Sequence, residues 1–251
     1  MTEFVDKPTD VLFGFHAVQS LLKTTPSRAT ELYISEGRKD QRLTKTIKLA
    51  EKCDIPVRFL SSVELDRYAD SERHQGVVLK ACKARIYDEA WMLEFLSSLD
   101  HAPLVLILDG LTDPHNLGAC LRSADAAGVD AVIVPRDKSV GLTPVVRKVA
   151  CGAADTVPFV LVTNLSRTLS KLQKAGLWIC GAAGEAEQTI SQVDLRGPTA
   201  VVMGSEDRGL RRLTREGCDH LASIPMQGSV SSLNVSVATG IVLFEAVRQR
   251  S

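Results

Sequence analysis

A loop of small polar side chains precedes the last helix pattern of the chain, in the segment PMQGSVSSLNVSVA at positions 225–238. Gly228 permits a positive φ, the hydroxyl of Ser232 can donate and accept hydrogen bonds, and Asn234 stands where the apolar helical period begins. No bulky side chain blocks a ligand there, so the segment predicts a binding loop. The alternative is an ordinary serine-rich loop in which Asn234 is only the N-cap of the helix.

A second polar cluster follows a predicted strand, in DGLTDPHNLGACLRSADAAG at positions 109–128. Asn116 is predicted at the cap position of a helix, and Arg122 comes six residues later. The long side chain of Arg122 can reach back toward the helix N-terminus, where anions are favoured. The alternative is a capping Asn116 and a solvated Arg122. His115 is left out of the catalytic set, because a histidine beside a turn is usually structural or exposed.

A third cluster lies in VVMGSEDRGL at positions 201–210, where a buried-strand pattern runs into Gly204, Glu206 and Gly209. Glu206 could cap the following helix or orient a substrate group. The spacing G-x-E-x-x-G is neither a Walker loop nor the dinucleotide fingerprint, and the chain contains neither of those motifs. A nucleophile elbow and an H-E-x-x-H helix are also missing, which disfavours nicotinamide enzymes, serine hydrolases and zinc proteases.

The composition is that of a globular protein without a strong charge. The chain has 251 residues, 45% of them hydrophobic, and its 30 basic side chains balance 30 acidic ones. Residues 1–85 carry fifteen basic and twelve acidic side chains, a net +3, which leaves −3 for the remainder. A polyanion would therefore sooner meet the first part, although no global attraction toward nucleic acid follows.

Cysteine spacing and hydropathy bear on metals, membranes and location. The six cysteines include no Cys-x-x-Cys pair and no histidine partner at zinc spacing, so we expect reduced thiols and no metal site. The N-terminus lacks the apolar core of a signal peptide, and no run approaches the ~20 apolar residues that a membrane span needs. The sequence thus predicts no membrane association and a cytoplasmic location.

The order of elements predicts an α/β fold in two parts. A small α/β unit ends near residue 83, where the apolar rhythm weakens. From the apolar run LVLILDG at 104–110 onward, strand and helix patterns alternate to the end of the chain. Such alternation indicates an open parallel sheet with right-handed crossovers, whose ligands bind beyond the carboxyl ends of the strands. All three polar clusters lie at those ends.

The three clusters together resemble the motifs of the SpoU/TrmH family of SPOUT RNA methyltransferases. The matching patterns are N-x5-R, G-x-E-x-x-G and the PMQGSVSSLNVSVA segment, in the expected order over residues 104–251. The stretches GFHAVQSLL and HQGVVLKA look like the L30e-like domain attached to many members. The resemblance implies an L30e-like RNA substrate-binding domain at 1–83, a linker and joining helix at 84–100, and a catalytic domain at 101–251 with a trefoil knot.

The resemblance also implies an activity. The whole chain looks like the members that methylate the ribose 2′-oxygen of a guanosine in 23S rRNA, with S-adenosyl-L-methionine as methyl donor. Family members are homodimers whose active site is shared across the interface, and 23S rRNA would be the partner here. The alternatives are methylation of a tRNA ribose or, from a different class, a non-catalytic RNA-binding protein.

Site residues follow from the same resemblance. The family binds S-adenosylmethionine in a bent form against loop backbone, which places cofactor binding on Gly181, Gly204, Ile224, Met226 and Leu233. The catalytic set is Arg122, Asn116, Glu206, Asn234 and Ser232.

The roles within the catalytic set centre on Arg122. Its family counterpart is proposed to act as a general base, but a guanidinium stays protonated in almost all protein settings. We therefore expect Arg122 to grip a phosphate and stabilise the developing alkoxide. Asn116 would hold Arg122 or the ribose, and Glu206 would fix the loop geometry. Ser232 and Asn234 would complete the pocket.

Positive charge in the first part predicts where rRNA binds. The basic residues on and before one helix are Arg38, Lys39, Arg42, Lys45 and Lys48. The alternative is a solvated helix face, because Glu36, Asp40 and Glu51 are interleaved with them.

Overall fold

Two compact units make up the chain in this computed structural model, which describes residues 9–37, 40–69, 74–82, 85–206 and 208–251. The described residues up to Arg85 form the first unit together with Leu142–Thr156. Ile86–Gly141 and Val157–Ser251 form the second. The boundary predicted at residue 83 lies outside the described residues, and the roles assigned to 1–83, 84–100 and 101–251 stay predictions.

The first unit contains four strands and five helices among its described residues. These are β1 (Thr9–Phe13), α1 (Phe15–Thr24), β2 (Ala29–Ser35), α2 (Gln41–Lys52), β3 (Val57–Leu60), α3 (Ser62–Ala69) and β4 (Val77–Cys82), together with α6 (Pro144–Ala150) and α7 (Ala153–Thr156). The sheet order is β1-β4-β2-β3, with β4 antiparallel to both neighbours and β3 parallel to β2. The apolar face of α1 is buried and shares a core with Leu32 and Leu79 of the sheet.

The second unit is built on a seven-stranded sheet. Its elements are β5 (Ile86–Tyr87), α4 (Glu89–Ser97), β6 (Leu104–Asp109), α5 (Pro114–Ala126), β7 (Ala131–Pro135), β8 (Phe159–Val162), α8 (Leu165–Lys174), β9 (Trp178–Ala182), β10 (Thr199–Gly204), α9 (Arg212–Glu216), β11 (His220–Ala222) and α10 (Val235–Arg250). The strand order is β11-β9-β10-β6-β7-β8-β5, and every neighbouring pair is parallel. The predicted α/β class with a parallel sheet is confirmed.

The strand order reverses direction at the centre of this sheet. From β6 the chain continues through β7 to β8 on one side, whereas β9, β10 and β11 lie on the other. All six residues of β6 are buried, as its apolar run predicts for a strand covered on both faces. A reversal of strand order opens a crevice at the carboxyl edge, here between β6 and β10. Gly204, which ends β10, is the register partner of Asp109, which ends β6.

None of the helices in the described part of the chain combines the length and apolar character that crossing a bilayer requires. The trefoil knot implied by the family resemblance stays a prediction.

An ion-pair cluster holds α6 and α7 within the first unit. Arg147 on α6 is 6% exposed and lies 3.1 Å from the carboxylate of Asp10 on β1 and 3.2 Å from that of Asp155 on α7. Arg28 pairs with the same two carboxylates. Because a buried charge is costly without partners, the four side chains are tolerated together and each depends on the others.

We expect Asp155→Asn to destabilise the first unit, because it leaves two largely buried guanidinium groups with Asp10 as the remaining carboxylate of the cluster. The free energy of unfolding should fall by about 3 kcal/mol, measured by urea titration of the full chain followed by circular dichroism. Arg58→Gln is the control, since Arg58 pairs with Glu31 in the same unit but is mostly exposed. Equal stability of Asp155→Asn and the unsubstituted protein would show that the cluster is not stabilising.

Candidate active site at the carboxyl edge of the parallel sheet

Three side chains from distant parts of the second unit meet in one hydrogen-bond network. Oε1 of Glu206 accepts hydrogen bonds from Nδ2 of Asn116 at 3.0 Å and from Nδ2 of Asn234 at 2.7 Å. Nδ2 of Asn234 also lies 3.0 Å from Oδ1 of Asn116. The structure therefore brings together one predicted residue from each of the three polar clusters.

Asn116 lies inside α5, so its predicted position as the helix cap is wrong. Asp113 is the N-cap, and its carboxylate accepts the backbone N–H of His115 at 2.9 Å. Pro114 takes the first helical position, which suits its fixed φ and missing N–H. The side chain of Asn116 is therefore not used for capping. Its residue is 8% exposed, and both polar atoms of the buried amide find partners in the network.

Asn234 caps α10 and belongs to the network at the same time. Its Oδ1 accepts the backbone N–H of Ser236 at 2.9 Å and the Ser236 hydroxyl at 2.6 Å, while its Nδ2 points to Glu206. The N-cap alternative from the sequence is thus confirmed and does not exclude the site. Glu206 also lies 3.4 Å from the first N–H of the helix, that of Val235. A carboxylate is stabilised at this end of the helix dipole.

The loop that carries Glu206 is closed by two glycines. Ser205 and Gly209 exchange two backbone hydrogen bonds, of 3.1 and 2.8 Å. A Cβ on Gly204 would lie only 2.1 Å from the carbonyl carbon of Gly209, so a side chain there would open the loop. Gly209 has φ of +62°, a conformation that glycine adopts without strain. Both glycines of the predicted G-x-E-x-x-G pattern therefore have a geometric reason, whereas Asp207 lies outside the described residues.

A cavity of about 180 Å³ lies beside this loop. The predicted site residues that line it are Gly204, Glu206, Ile224, Met226, Ser232 and Leu233. The other lining residues do not belong to the predicted catalytic or cofactor-binding sets: Ala182, Ala183, Gly184, Met203, Ser205, Gly209, Ala222, Ser231, Val235 and Ala238. Ala182 and Ala222 end β9 and β11, and Ala183 and Ser205 directly follow β9 and β10. The predicted ends of these strands were therefore the signal in the sequence that could have indicated them.

Gly181 is not among the described residues that line the cavity. It lies within β9, where a Cβ would come 2.7 Å from Sγ of Cys218 and 2.8 Å from Cδ1 of Leu210. This glycine is therefore required by close packing, and the next residue along the strand, Ala182, lines the cavity instead. A direct role of Gly181 in cofactor binding stays a prediction.

Arg122 lies on an exposed part of α5, nearly two helical turns after Asn116, and is not one of the described residues that line the cavity. Helix α5 packs against α10, where a Cβ on Gly240 would lie 3.8 Å from Oγ of Ser123. Arg122 therefore belongs to the helix pair whose N-terminal ends carry Asn116 and Asn234 of the network. Its predicted contact with phosphate and ribose is untested by this geometry.

The three thiols of the second unit are not activated. Burial raises the pKa of Cys120 and of Cys180 to about 11 each, and it raises that of Cys218 to about 12. These groups are protonated thiols at neutral pH, and a thiol is a weaker nucleophile than a thiolate. All six cysteines of the chain are free. The described residues also contain no group of three or more His, Cys, Asp or Glu side chains arranged to hold a metal ion.

Fold and site together define a class of protein. A parallel α/β unit holds a mostly apolar cavity at its carboxyl edge, beside an Asn–Glu–Asn network, and is accompanied by a small mixed α/β unit. This is the arrangement that the motifs predict for an RNA ribose methyltransferase.

Comparisons with known proteins give the family. The model of the SpoU rRNA methylase family matches residues 103–244, and a model for substrate binding by RNA 2′-O ribose methyltransferases matches residues 11–87. The chain belongs to the SpoU rRNA methylase family.

Similar proteins span almost the whole chain. A 23S rRNA (guanosine-2′-O-)-methyltransferase RlmB from Shewanella oneidensis is 58% identical over 244 residues, covering 97% of this chain and 99% of the relative. The enzyme of the same name from Escherichia coli K12 is 54% identical over 243 residues, covering 97% of this chain and 100% of the relative.

Solved structures agree with the fold. A crystal structure of an RNA 2′-O ribose methyltransferase has a TM-score of 0.78 at 25% identity, covering 97% of this chain and 90% of that one. The SpoU methyltransferase AviRb from Streptomyces viridochromogenes, in complex with the cofactor AdoMet, has a TM-score of 0.78 at 23% identity, covering 96% of this chain and 90% of that one. This second likeness is one of fold alone.

The network predicts an unusual pH dependence for Asn116→Asp. A second carboxylate beside Glu206 raises the pKa of one of the two groups, because like charges in contact cannot both ionise easily. Below that pKa a protonated carboxyl donates in place of the amide, and above it the two charges repel. We expect the methylation rate of the variant, relative to the unsubstituted protein, to fall at least about tenfold as pH rises from 5.5 to 8.5.

Asn116→Ala is the matched control, because it removes the donor without adding a titratable group. Its rate relative to the unsubstituted protein should be low and constant over the same pH range. A constant ratio for Asn116→Asp as well would show that the contact with Glu206 is not maintained in the working enzyme.

Proposed function

We propose that this chain transfers a methyl group from S-adenosylmethionine to the ribose 2′-oxygen of a guanosine in 23S rRNA. The observation that carries the proposal is the Asn116–Glu206–Asn234 network, which joins the three family motifs beside one cavity. Relatives that bear this activity in their names are 54–58% identical over nearly the full length. The predicted reaction and the predicted 23S rRNA substrate are confirmed by them, and S-adenosylmethionine is the methyl donor, as predicted.

The cavity suits a nucleoside with a short amino-acid tail. Small side chains such as Ala182, Gly184 and Ala222 leave room for a flat base, and Ile224, Met226 and Leu233 supply apolar contact. The hydroxyls of Ser231 and Ser232 and the carboxylate of Glu206 add polar groups at the rim. The residues that would hold the methyl donor are therefore the lining residues of the loops after β9, β10 and β11.

The reaction needs a nucleophile that loses its proton. When bound, the methyl donor would supply an electrophilic methyl group on a positively charged sulfur, so the O–C bond would form as the S–C bond breaks with its electron pair left on sulfur. The ribose hydroxyl proton leaves toward solvent or a neighbouring group. Because a guanidinium is a poor proton acceptor in general, we assign Arg122 to grip the adjoining phosphate and stabilise the developing negative charge on the ribose oxygen.

The network holds the other catalytic residues in place for that step. One N–H of the Asn116 amide donates to Glu206, and we assign the other to hold Arg122 or the ribose. Asn234 and Glu206 fix the start of α10 and the loop of Glu206 relative to α5. Ser232, which lines the cavity, would orient the nucleophile or its own loop.

We assign binding of rRNA to the basic face of α2 in the first unit. Lys45, Lys48 and Lys52 are exposed, and their spacing of three and four residues places them on one face of the helix. Asp40 accepts the backbone N–H groups of Arg42 and Leu43 at 2.7 and 2.9 Å, so this carboxylate caps the helix. Arg38 and Lys39, which belong to the predicted set, lie outside the described residues.

We expect Arg122→Lys to lower kcat by about 100-fold while leaving affinity for S-adenosylmethionine unchanged. Lysine keeps the charge but cannot reproduce the planar fork of a guanidinium, and loss of one transition-state contact of this kind costs about that factor. The measurement uses labelled S-adenosylmethionine with separate 23S rRNA and tRNA pools, followed by mapping of the labelled ribose. Full turnover of the variant would remove Arg122 from the chemistry.

The same assay tests the function itself. The unsubstituted protein should label one guanosine ribose of 23S rRNA; label in tRNA alone would change the substrate, and no label in either would favour a non-catalytic RNA-binding protein. Lys45→Glu combined with Lys48→Glu is the matched comparison in the first unit. This variant should bind the methyl donor normally and methylate 23S rRNA with a raised KM for the RNA.

We propose that the chain forms a homodimer through α10. Val237, Ile241 and Phe244 are exposed apolar side chains spaced four and three residues apart, so they form one stripe along the helix. A self-complementary stripe suits a two-fold interface. Arg122 lies on the neighbouring helix α5, which agrees with an active site shared between two copies.

A cytoplasmic location also stays a prediction, in keeping with the rRNA substrate.

We expect Ile241→Glu combined with Phe244→Glu to convert the dimer to a monomer, because two charges would be buried without partners in the interface. Light scattering coupled to size-exclusion chromatography gives the mass, and methylation of 23S rRNA should be lost together with the dimer. Leu213→Glu is the control, since Leu213 is an equally exposed apolar residue on α9 outside the stripe. An unchanged mass of the double variant would contradict the assignment of α10.

A further inference from the structure

A buried carboxylate ends the central strand beside the cavity. Asp109 is the last residue of β6, whose other five residues are apolar, and its side chain is 0% exposed. Its Oδ2 accepts the backbone N–H of Arg211 at 3.0 Å, and its Oδ1 accepts the Nε–H of the same residue. A second guanidinium nitrogen of Arg211 also pairs with Oδ1. A carboxylate that is withdrawn from water is stable only with partners of this kind.

Arg211 ends the loop that forms one wall of the cavity. The loop leaves β10 at Gly204, directly across from Asp109, and returns through Gly209 and Leu210 to Arg211. Its start is fixed by the sheet, and its middle by the backbone bonds between Ser205 and Gly209. The pair with Asp109 fixes its end. Glu206 and Gly209, which line the cavity, lie between these fixed points.

We propose that the Asp109–Arg211 pair positions Ser205, Glu206 and Gly209, which line the cavity after β10, in the arrangement that admits the methyl donor. Asp109 and Arg211 are positioning residues, since neither lines the cavity among the described residues. The inference rests on the proposed function for the identity of the ligand. The pair lies outside the three motif patterns, and its proposed effect is to set the affinity for that ligand.

The expected effect is on binding rather than on the chemical step. Without the pair, the loop samples shapes in which the cavity wall is displaced, and the apparent affinity falls by the fraction of molecules that keep the competent shape. Once the ligand is bound, its own contacts hold the loop, so the rate of the bound complex is preserved. A purely structural role would instead reduce the amount of folded enzyme and lower kcat at constant KM.

The test compares Asp109→Asn with the unsubstituted full-length chain. Asparagine keeps the size and one acceptor for the backbone N–H of Arg211 but removes the charge. We expect the Kd for S-adenosylmethionine, from calorimetry, and its KM, from methylation of 23S rRNA, to rise about tenfold with kcat within about twofold. Asp194→Asn is the control, because Asp194 forms an exposed ion pair with Arg196 in the same unit and should leave both values unchanged.

If Asp109→Asn does not fold, Arg211→Lys tests the role of the pair. It keeps the charge and the backbone N–H but loses the two-pronged contact, so Kd and KM should rise by a smaller factor with kcat again preserved. Unchanged Kd in a folded variant, or a loss of kcat at constant KM, would overturn the proposal. If the unsubstituted protein neither binds S-adenosylmethionine nor methylates RNA, the proposed function fails instead.

Discussion

The carboxylate of Glu206 is the contact on which the site depends. One of its oxygens accepts hydrogen bonds from two asparagines and lies beside the first N–H of α10. These donors come from α5, from the loop before α10 and from α10 itself, so a single charged acceptor fixes three segments. Hydrogen bonds to an ionised acceptor are about twice as strong as neutral ones. The partly positive N-terminus of α10 stabilises the same charge.

The parallel sheet explains why these segments can meet. The reversal of strand order places β6 beside β10, so the loops that follow them start from adjacent strand ends. Asp109 closes the first strand and reaches the end of the second loop through Arg211. Glu206 projects from the middle of that loop to Asn116 on the helix after the first strand. Two acidic residues, Asp109 and Glu206, thus each connect the segment after β6 with the segment after β10.

Local sequence patterns predicted the elements, and the family resemblance named residues that the structure brings together. Apolar runs such as LVLILDG gave the buried strands, and the motif residues Asn116, Glu206 and Asn234 are in contact. The prediction that Asn116 caps α5 was wrong, because Asp113 followed by Pro114 makes a better helix start. The spacing of Asn116 and Arg122 does not reveal this competition between neighbouring residues. Contacts between residues far apart in the chain were not predictable either. Arg147 on α6 pairs with Asp10 on β1, and neither residue belongs to a periodic pattern that indicates the position of the other.

In the proposed dimer, the exposure of Arg122 would link its proposed catalytic role to assembly. A guanidinium facing water exerts little force on a developing negative charge, because the solvent screens it. The apolar stripe of Val237, Ile241 and Phe244 lies on α10, the helix that packs against the helix of Arg122. In the proposed dimer a second copy would cover this side of the helix pair and remove water from around the guanidinium. The same burial that stabilises the dimer would then strengthen the electrostatic contribution of Arg122, so assembly and methyl transfer would depend on one surface.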